Sequence, residues 1–186
     1  QSPLNHVEIL QGKELSFNNF LDLSMVYEVL NWFHPETPET AEPSKTTVLT
    51  EPGETNADYF SVIVKHQNPC GAALGNSQRD SFKNALAGDP KSAYGGIVGF
   101  NTPLDGETAE EMKSVFFEVI VAPAFTGEAL QIFKKKKNLR LVKMPLGYWE
   151  KFDIKTVPGG FVFQDRDHWL KAYEDFELKT SRPLTE

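Results

Sequence analysis

The ten residues Val62-Ile63-Val64-Lys65-His66-Gln67-Asn68-Pro69-Cys70-Gly71 constrain this chain more than any other segment. Three consecutive β-branched apolar residues suit a strand covered on both faces. Asn68-Pro69 and Gly71 are expected to stop that strand, because proline fixes φ and donates no hydrogen bond and glycine permits φ > 0. Lys65 and His66 therefore fall where a strand ends, which in an open α/β sheet is where ligands bind. The plainer alternative is a lysine on a solvated rim beside a histidine bonded into a loop.

The rest of the chain alternates strand and helix signals. From Asn18 to Phe33, apolar residues recur at helical spacing, with Asn18 or Asn19 as the expected N-cap. Residues 34–58 hold Pro35, Pro38, Pro43 and Pro52 among Thr, Glu and Ser, which predicts a long polar loop. Tyr59 to Val64 is the first strand. Ser77, with Asp80 three residues on, opens a helix to about Ala87, ended by Gly88-Asp89-Pro90. Tyr94-Gly95-Gly96 reads as a glycine turn feeding a strand at Ile97 to Phe100. Asp105 to Glu118 reads as a helix with an acidic first turn. Val119 to Ala122 and Leu139 to Met144 read as strands around a helix from Glu128 to Lys137. A last strand is expected at Phe161 to Phe163, and a partly helical tail from Asp167. This alternation predicts an α/β fold with a mostly parallel or mixed sheet.

Composition narrows the classes. A chain of 186 residues allows one domain of ordinary size. A formal net charge of −7 without a basic stripe argues against a nucleic-acid partner. No run of 18 apolar residues predicts a membrane span, and the N-terminus carries no signal pattern. The single cysteine excludes an internal disulfide and fits a reducing, cytoplasmic setting. The missing initiator methionine points to a piece of a longer polypeptide.

Several side chains carry competing readings. A zinc deaminase needs His-x-Glu and Pro-Cys-x-x-Cys. Here His34-Pro35-Glu36 and Pro69-Cys70 are present, but Ala73 stands where the second cysteine must fall, so no metal is expected. Cys70 reads as a small buried or loop thiol. Lys134 to Lys137 reads as a solvated helix end, with a phosphate contact as the lesser alternative. Gly95-Gly96 is either an anion-binding turn or only a tight one. Glu118 is either a surface carboxylate or a ligand contact.

Taken together the segments become specific. Lys65-His66-Gln67-Asn68-Pro69-Cys70-Gly71, then Asp89-Pro90-Lys91-Ser92-Ala93-Tyr94-Gly95-Gly96-Ile97-Val98, then Glu118-Val119-Ile120-Val121-Ala122-Pro123 occur in that order. So do Lys135-Lys136-Lys137-Asn138-Leu139-Arg140 and Gly159-Gly160 before Gln164-Asp165. With Gln11 to Asn19, they resemble the transformylase domain of the bifunctional AICAR transformylase/IMP cyclohydrolase family of purine biosynthesis. Tyr94 and Lys91 depart from the family's usual Phe and Val, and residues 34–58 make a longer loop than the family usually carries.

The resemblance implies the following. The chain is the first of two cytidine-deaminase-like α/β/α halves, without zinc, and residues 180–186 are the linker to the second. No cyclohydrolase domain is included, and an Arg-Tyr-Gly segment that helps hold the AICAR phosphate normally precedes Gln1. The activity is that of a phosphoribosylaminoimidazolecarboxamide formyltransferase, with 10-formyltetrahydrofolate as cosubstrate and no metal. His66 is the base and Lys65 its electrostatic partner. Gly95 through its backbone, Glu118 through its carboxylate, and Asn68 contact substrate. The partners are AICAR, the folate, the second half and a second copy in a homodimer. A non-catalytic AICAR-binding or structural half-domain is the competing expectation. Because neighbouring strand residues face opposite sides, Lys65 and His66 can serve one substrate only if the chain turns at His66.

Overall fold

A computed structural model describes residues 7–33, 59–147 and 151–166. The predicted loop 34–58 with its His34-Pro35-Glu36, the helical tail from 167 and the linker 180–186 lie outside the described residues. In chain order the elements are β1 (Glu8–Gln11), α1 (Phe17–Trp32), β2 (Tyr59–Lys65), β3 (Asn68–Gly75), α2 (Gln78–Gly88) and α3 (Pro90–Ala93). There follow β4 (Ile97–Phe100), α4 (Gly106–Glu111), β5 (Val119–Ala122), α5 (Gly127–Phe133), β6 (Arg140–Lys143), β7 (Phe152–Val157) and β8 (Gly160–Asp165).

Six strands form one mixed sheet in the order β1-β6-β5-β4-β2-β3. The centre is parallel, β4 with β5 and β5 with β6. The flanks are antiparallel, β1 on β6 and β4-β2-β3 on the other side. Strands β7 and β8 form a separate hairpin, whose Arg166 meets Glu28 of α1 at 2.8 Å. Among the described residues no helix is long and apolar enough to cross a membrane.

Helices cover both faces of the sheet, which explains why its central strands are apolar without alternation. Val62, Val64, Ile97, Val119 and Val121 pack toward Leu23, Val26 and Leu30 of α1. Ile63, Val98 and Ile120 face the other way, onto Phe82, Ala109 and Phe133 of α2, α4 and α5. Leu23, Val26 and Leu30 are fully buried, and each contributes at most roughly 1.5–3 kcal/mol.

Several boundaries differ from the sequence expectation. Helix α1 is capped by Ser16, and Asn19 sits three residues in, closing a capping box with it. The helix expected from Asp105 to Glu118 ends at Glu111 and a 3₁₀ turn at Met112–Ser114. Glu118 therefore lies at the foot of a strand, not at a helix end. The largest correction concerns Asn68 to Gly71, which starts an edge strand instead of a loop. Pro69 is tolerated because an edge strand can lack a donor. Gly71 is not among the residues with positive φ. A Cβ there would lie 1.9 Å from the Ala85 carbonyl oxygen of α2, so its role is close packing.

Candidate functional site

Strand β2 passes into β3 through a two-residue loop, because Lys65 pairs with Asn68 across the hairpin. The loop residues His66 and Gln67 have φ of 57° and 63°. Two successive left-handed residues define the type I′ hairpin turn, which ordinarily carries Asn-Gly or Asp-Gly. Here neither residue is glycine, and such conformations cost on the order of 1–3 kcal/mol each. The chain does turn at His66, and Lys65 and His66 border one cleft.

That cleft, about 450 Å³, is lined by Lys65, His66, Asn68, Pro69, Cys70, Lys91 and Ser92. Two lysines beside an exposed imidazole make it cationic. Lys91 and Ser92 come from α3, a single turn that the sequence reading missed. Its signal was present in Asp89-Pro90, a capping residue followed by proline at the first helical position. Asp89 accepts from the Ser92 backbone N–H at 3.0 Å and from the Ser92 hydroxyl at 2.6 Å. The Ser92 bonds hold its carboxyl below the usual range. Cys70 is half-buried and its thiol faces the Ile63 carbonyl oxygen at 3.5 Å. Burial pushes that thiol up, away from thiolate chemistry, and Asp89 adds to the effect.

Gly95 and Glu118 do not line the cleft but stand at the same end of the sheet. Lys65 Nζ donates to the Tyr94 carbonyl at 2.6 Å, beside Gly95. Gly95, at φ 76°, donates its N–H to the Phe116 carbonyl, and Glu118 donates its N–H to the Gly96 carbonyl. Glu118 lies two strands from Lys65, roughly 10 Å at about 4.8 Å per strand. Its carboxylate accepts from the Asn19 side-chain amide at 3.2 Å. The first two turns of α1 thus reach both sides of the site, since Asp22 Oδ1 accepts the Gln67 N–H at 2.6 Å. Sequence reasoning missed Asn19 and Asp22 as site neighbours, because nothing local ties a helix to a strand forty residues on.

This end of the sheet is where β2 finishes but where β4, β5 and β6 begin. The rule that ligands sit at the carboxyl ends of parallel strands therefore describes β2 alone. Tyr94, 62% exposed, and Phe116 stand over Gly95 with ring centroids 5.2 Å apart. Among the described residues no three His, Cys, Asp or Glu side chains gather to hold a metal ion. A second cleft of about 660 Å³, between Arg79, Glu107, Glu111 and Glu128, includes none of Lys65, His66, Asn68, Gly95 and Glu118.

The Lys134 to Lys137 run is not a uniformly solvated helix end. Lys136 Nζ donates to the Lys113 carbonyl at 2.7 Å and to the Val115 carbonyl at 3.4 Å. Burial and the Lys113 charge lower its pKa. It fastens the segment before β5 to the turn after α5.

Residues 1–186 match the family model described as AICARFT/IMPCHase bienzyme. The bifunctional purine biosynthesis protein PurH of Aquifex aeolicus is 40% identical over 182 residues, which cover 98% of this chain and 31% of that protein. PurH of Prochlorococcus marinus strain MIT 9515 is 43% identical over 185 residues, covering 98% of this chain and 33% of its own. The chain spans about a third of the length of these curated relatives. Among solved structures, RibD of Acinetobacter baumannii aligns at a TM-score of 0.38 and 16% identity, over 70% of this chain and 34% of that one.

Proposed function

The chain belongs to the AICARFT/IMPCHase bienzyme family, and from that premise we propose that it carries the base for formyl transfer from 10-formyltetrahydrofolate to the 5-amino group of AICAR in purine biosynthesis. The observation that carries the reading is the β2–β3 hairpin tip. It sets an exposed imidazole beside an ammonium group at one cleft, in a backbone conformation that glycine-free turns rarely adopt.

The chemistry requires both groups. The 5-amino group is conjugated with an aromatic ring and a carboxamide, so it is a poor nucleophile. A base titrating near neutrality suits it. The amine nitrogen attacks the formyl carbon and His66 takes the amine proton. The carbonyl oxygen becomes an oxyanion, which the Lys65 ammonium stabilises. Collapse breaks the bond to folate N10, and that nitrogen leaves with a proton returned to it. Glu118, held by Asn19, and the Gly95 backbone contact AICAR, as does Asn68. Lys65 must exchange its Tyr94 carbonyl contact for the substrate.

We assign this chain to the first of two cytidine-deaminase-like halves. The second half and a second copy would supply most of the folate contacts. The shared length with the relatives, about a third, favours an alternative in the same geometry. In it the chain binds AICAR but turns nothing over by itself. The test is a graft of these 186 residues in place of the matching third of Aquifex aeolicus PurH. The folded graft should transfer formyl groups and lose that activity on His66→Ala. Undiminished transfer after His66→Ala would overturn the base assignment. The graft also separates the two readings, since a folded graft that binds AICAR yet transfers no formyl group is the alternative's signature.

A further inference from the structure

We propose that Asp22 is a positioning residue for His66, its carboxylate holding the strained turn that presents the imidazole to the cleft. The proposal rests on the reading of His66 as the base. In a two-residue hairpin loop the N–H of the second loop residue has no partner in the strand ladder, and here that donor is Gln67. Its N–H is taken by Asp22 Oδ1 at 2.6 Å, a contact from a different element 45 residues away. At that separation the bond lies at the short end of the range for N–H to oxygen.

Asp22 is itself well fixed. It is half-buried on α1 and adjoins Leu23, which is fully buried against the sheet. The other bond at the turn, from the Asn68 side-chain amide to the His66 carbonyl at 3.0 Å, comes from within the hairpin. It cannot place the turn relative to the rest of the molecule. Asp22 therefore links the position of α1 to the direction in which His66 points. An Asp on a helix face is most often only a solvated group. The short bond to a backbone donor in a left-handed residue marks this one out, because a His-Gln pair lacks the glycine that would make the turn inexpensive.

The test uses the isotope-labelled 186-residue chain. In the unsubstituted protein the Gln67 amide should exchange with solvent about tenfold or more slowly than a free amide, as its hydrogen bond to Asp22 Oδ1 implies. Exchange at the free rate would overturn the proposal without any variant. Asp22→Ala should release that protection and shift the His66 imidazole signals, while Val62 to Val64 stay protected. Asp22→Asn, which keeps an acceptor oxygen, should restore both. Gln67→Gly in the Asp22→Ala background should restore the imidazole signals, because glycine adopts the turn unaided. Two results would sink the clamp. One is unchanged imidazole signals in Asp22→Ala. The other is an Asp22→Asn protein that behaves like Asp22→Ala, which would make charge the cause.

Adding AICAR separates the two readings. No AICAR-dependent shift at His66 in the unsubstituted chain counts against the functional reading, while the exchange data still judge the clamp. A shift that persists unaltered in Asp22→Ala counts against the clamp alone.

Discussion

At Gly71 strand β3 and helix α2 meet backbone to backbone, since a Cβ would sit 1.9 Å from the Ala85 carbonyl oxygen and 2.9 Å from its carbon. No flexible side chain is there to yield. Gly71→Ala is therefore expected to lower stability by roughly 1–3 kcal/mol or more, the cost of overpacking, and a urea midpoint equal to that of the parent would contradict the packing. The role proposed for the neighbouring His66 is chemical, not one of fit. His66→Ala in the Aquifex graft is expected to lower kcat by roughly 10² to 10⁴, the usual range for losing a general base. The KM for AICAR should move far less, because the ring contacts assigned to Gly95, Asn68 and Glu118 remain. A raised KM with an unchanged kcat would make His66 a binding group only. So one short motif combines a steric requirement at Gly71 with the catalytic role proposed for His66.

Helix α1 joins the core to the site. Its side toward the sheet is Leu23, Val26 and Leu30, while its first two turns carry Asn19 and Asp22 to the site. Ser16 caps it by accepting the Asn19 N–H at 3.2 Å, and Asn19 Oδ1 accepts the Ser16 N–H at 3.1 Å. Ser16→Ala should cost about 1 kcal/mol yet leave the Asn19 bond to Glu118 in place, since the Asn19 side chain is bonded to the Ser16 backbone N–H, which the substitution keeps. Chemical denaturation measures the cost, and AICAR affinity should stay unchanged. The sequence showed this helix, α2 and the strands β2, β4, β5 and β6, because long apolar runs and Ser-x-x-Asp spacing are local signals. It hid β3, where Asn-Pro-Cys-Gly carries every mark of a turn. Only the partner strand β2 makes it a strand. It also hid β1, four residues that depend on β6 for their pairing. In the same way His66 and Lys65 were legible from a motif, whereas Asp22 and Asn19 become site neighbours only once α1 packs on the sheet.

For the whole molecule the question is how much of a two-substrate reaction one sheet end can support. His66 and Asn68 are exposed and Lys65 is only half-buried, so the cleft they border does not enclose a ligand. Two reactants must be held at attacking distance to gain from proximity, which supplies up to roughly 7–11 kcal/mol of the barrier. At this end of the sheet the described residues offer one cationic cleft and the exposed rings of Tyr94 and Phe116, and the matching proteins are about three times as long. Elsewhere the surface is prepared for company: Phe161 and Phe163 of the β7–β8 hairpin are 67% and 66% exposed, more apolar surface than a small hairpin usually leaves in water. The chain by itself is therefore expected to fold, as its two-sided core implies, yet to show no measurable transfer between 10-formyltetrahydrofolate and AICAR. The same residues grafted into Aquifex PurH should be active. Circular dichroism and a transfer assay on both proteins decide the matter. Full activity from the isolated chain would mean that the residues bordering this open cleft hold both substrates unaided, and the division of the site between two halves would have to be abandoned.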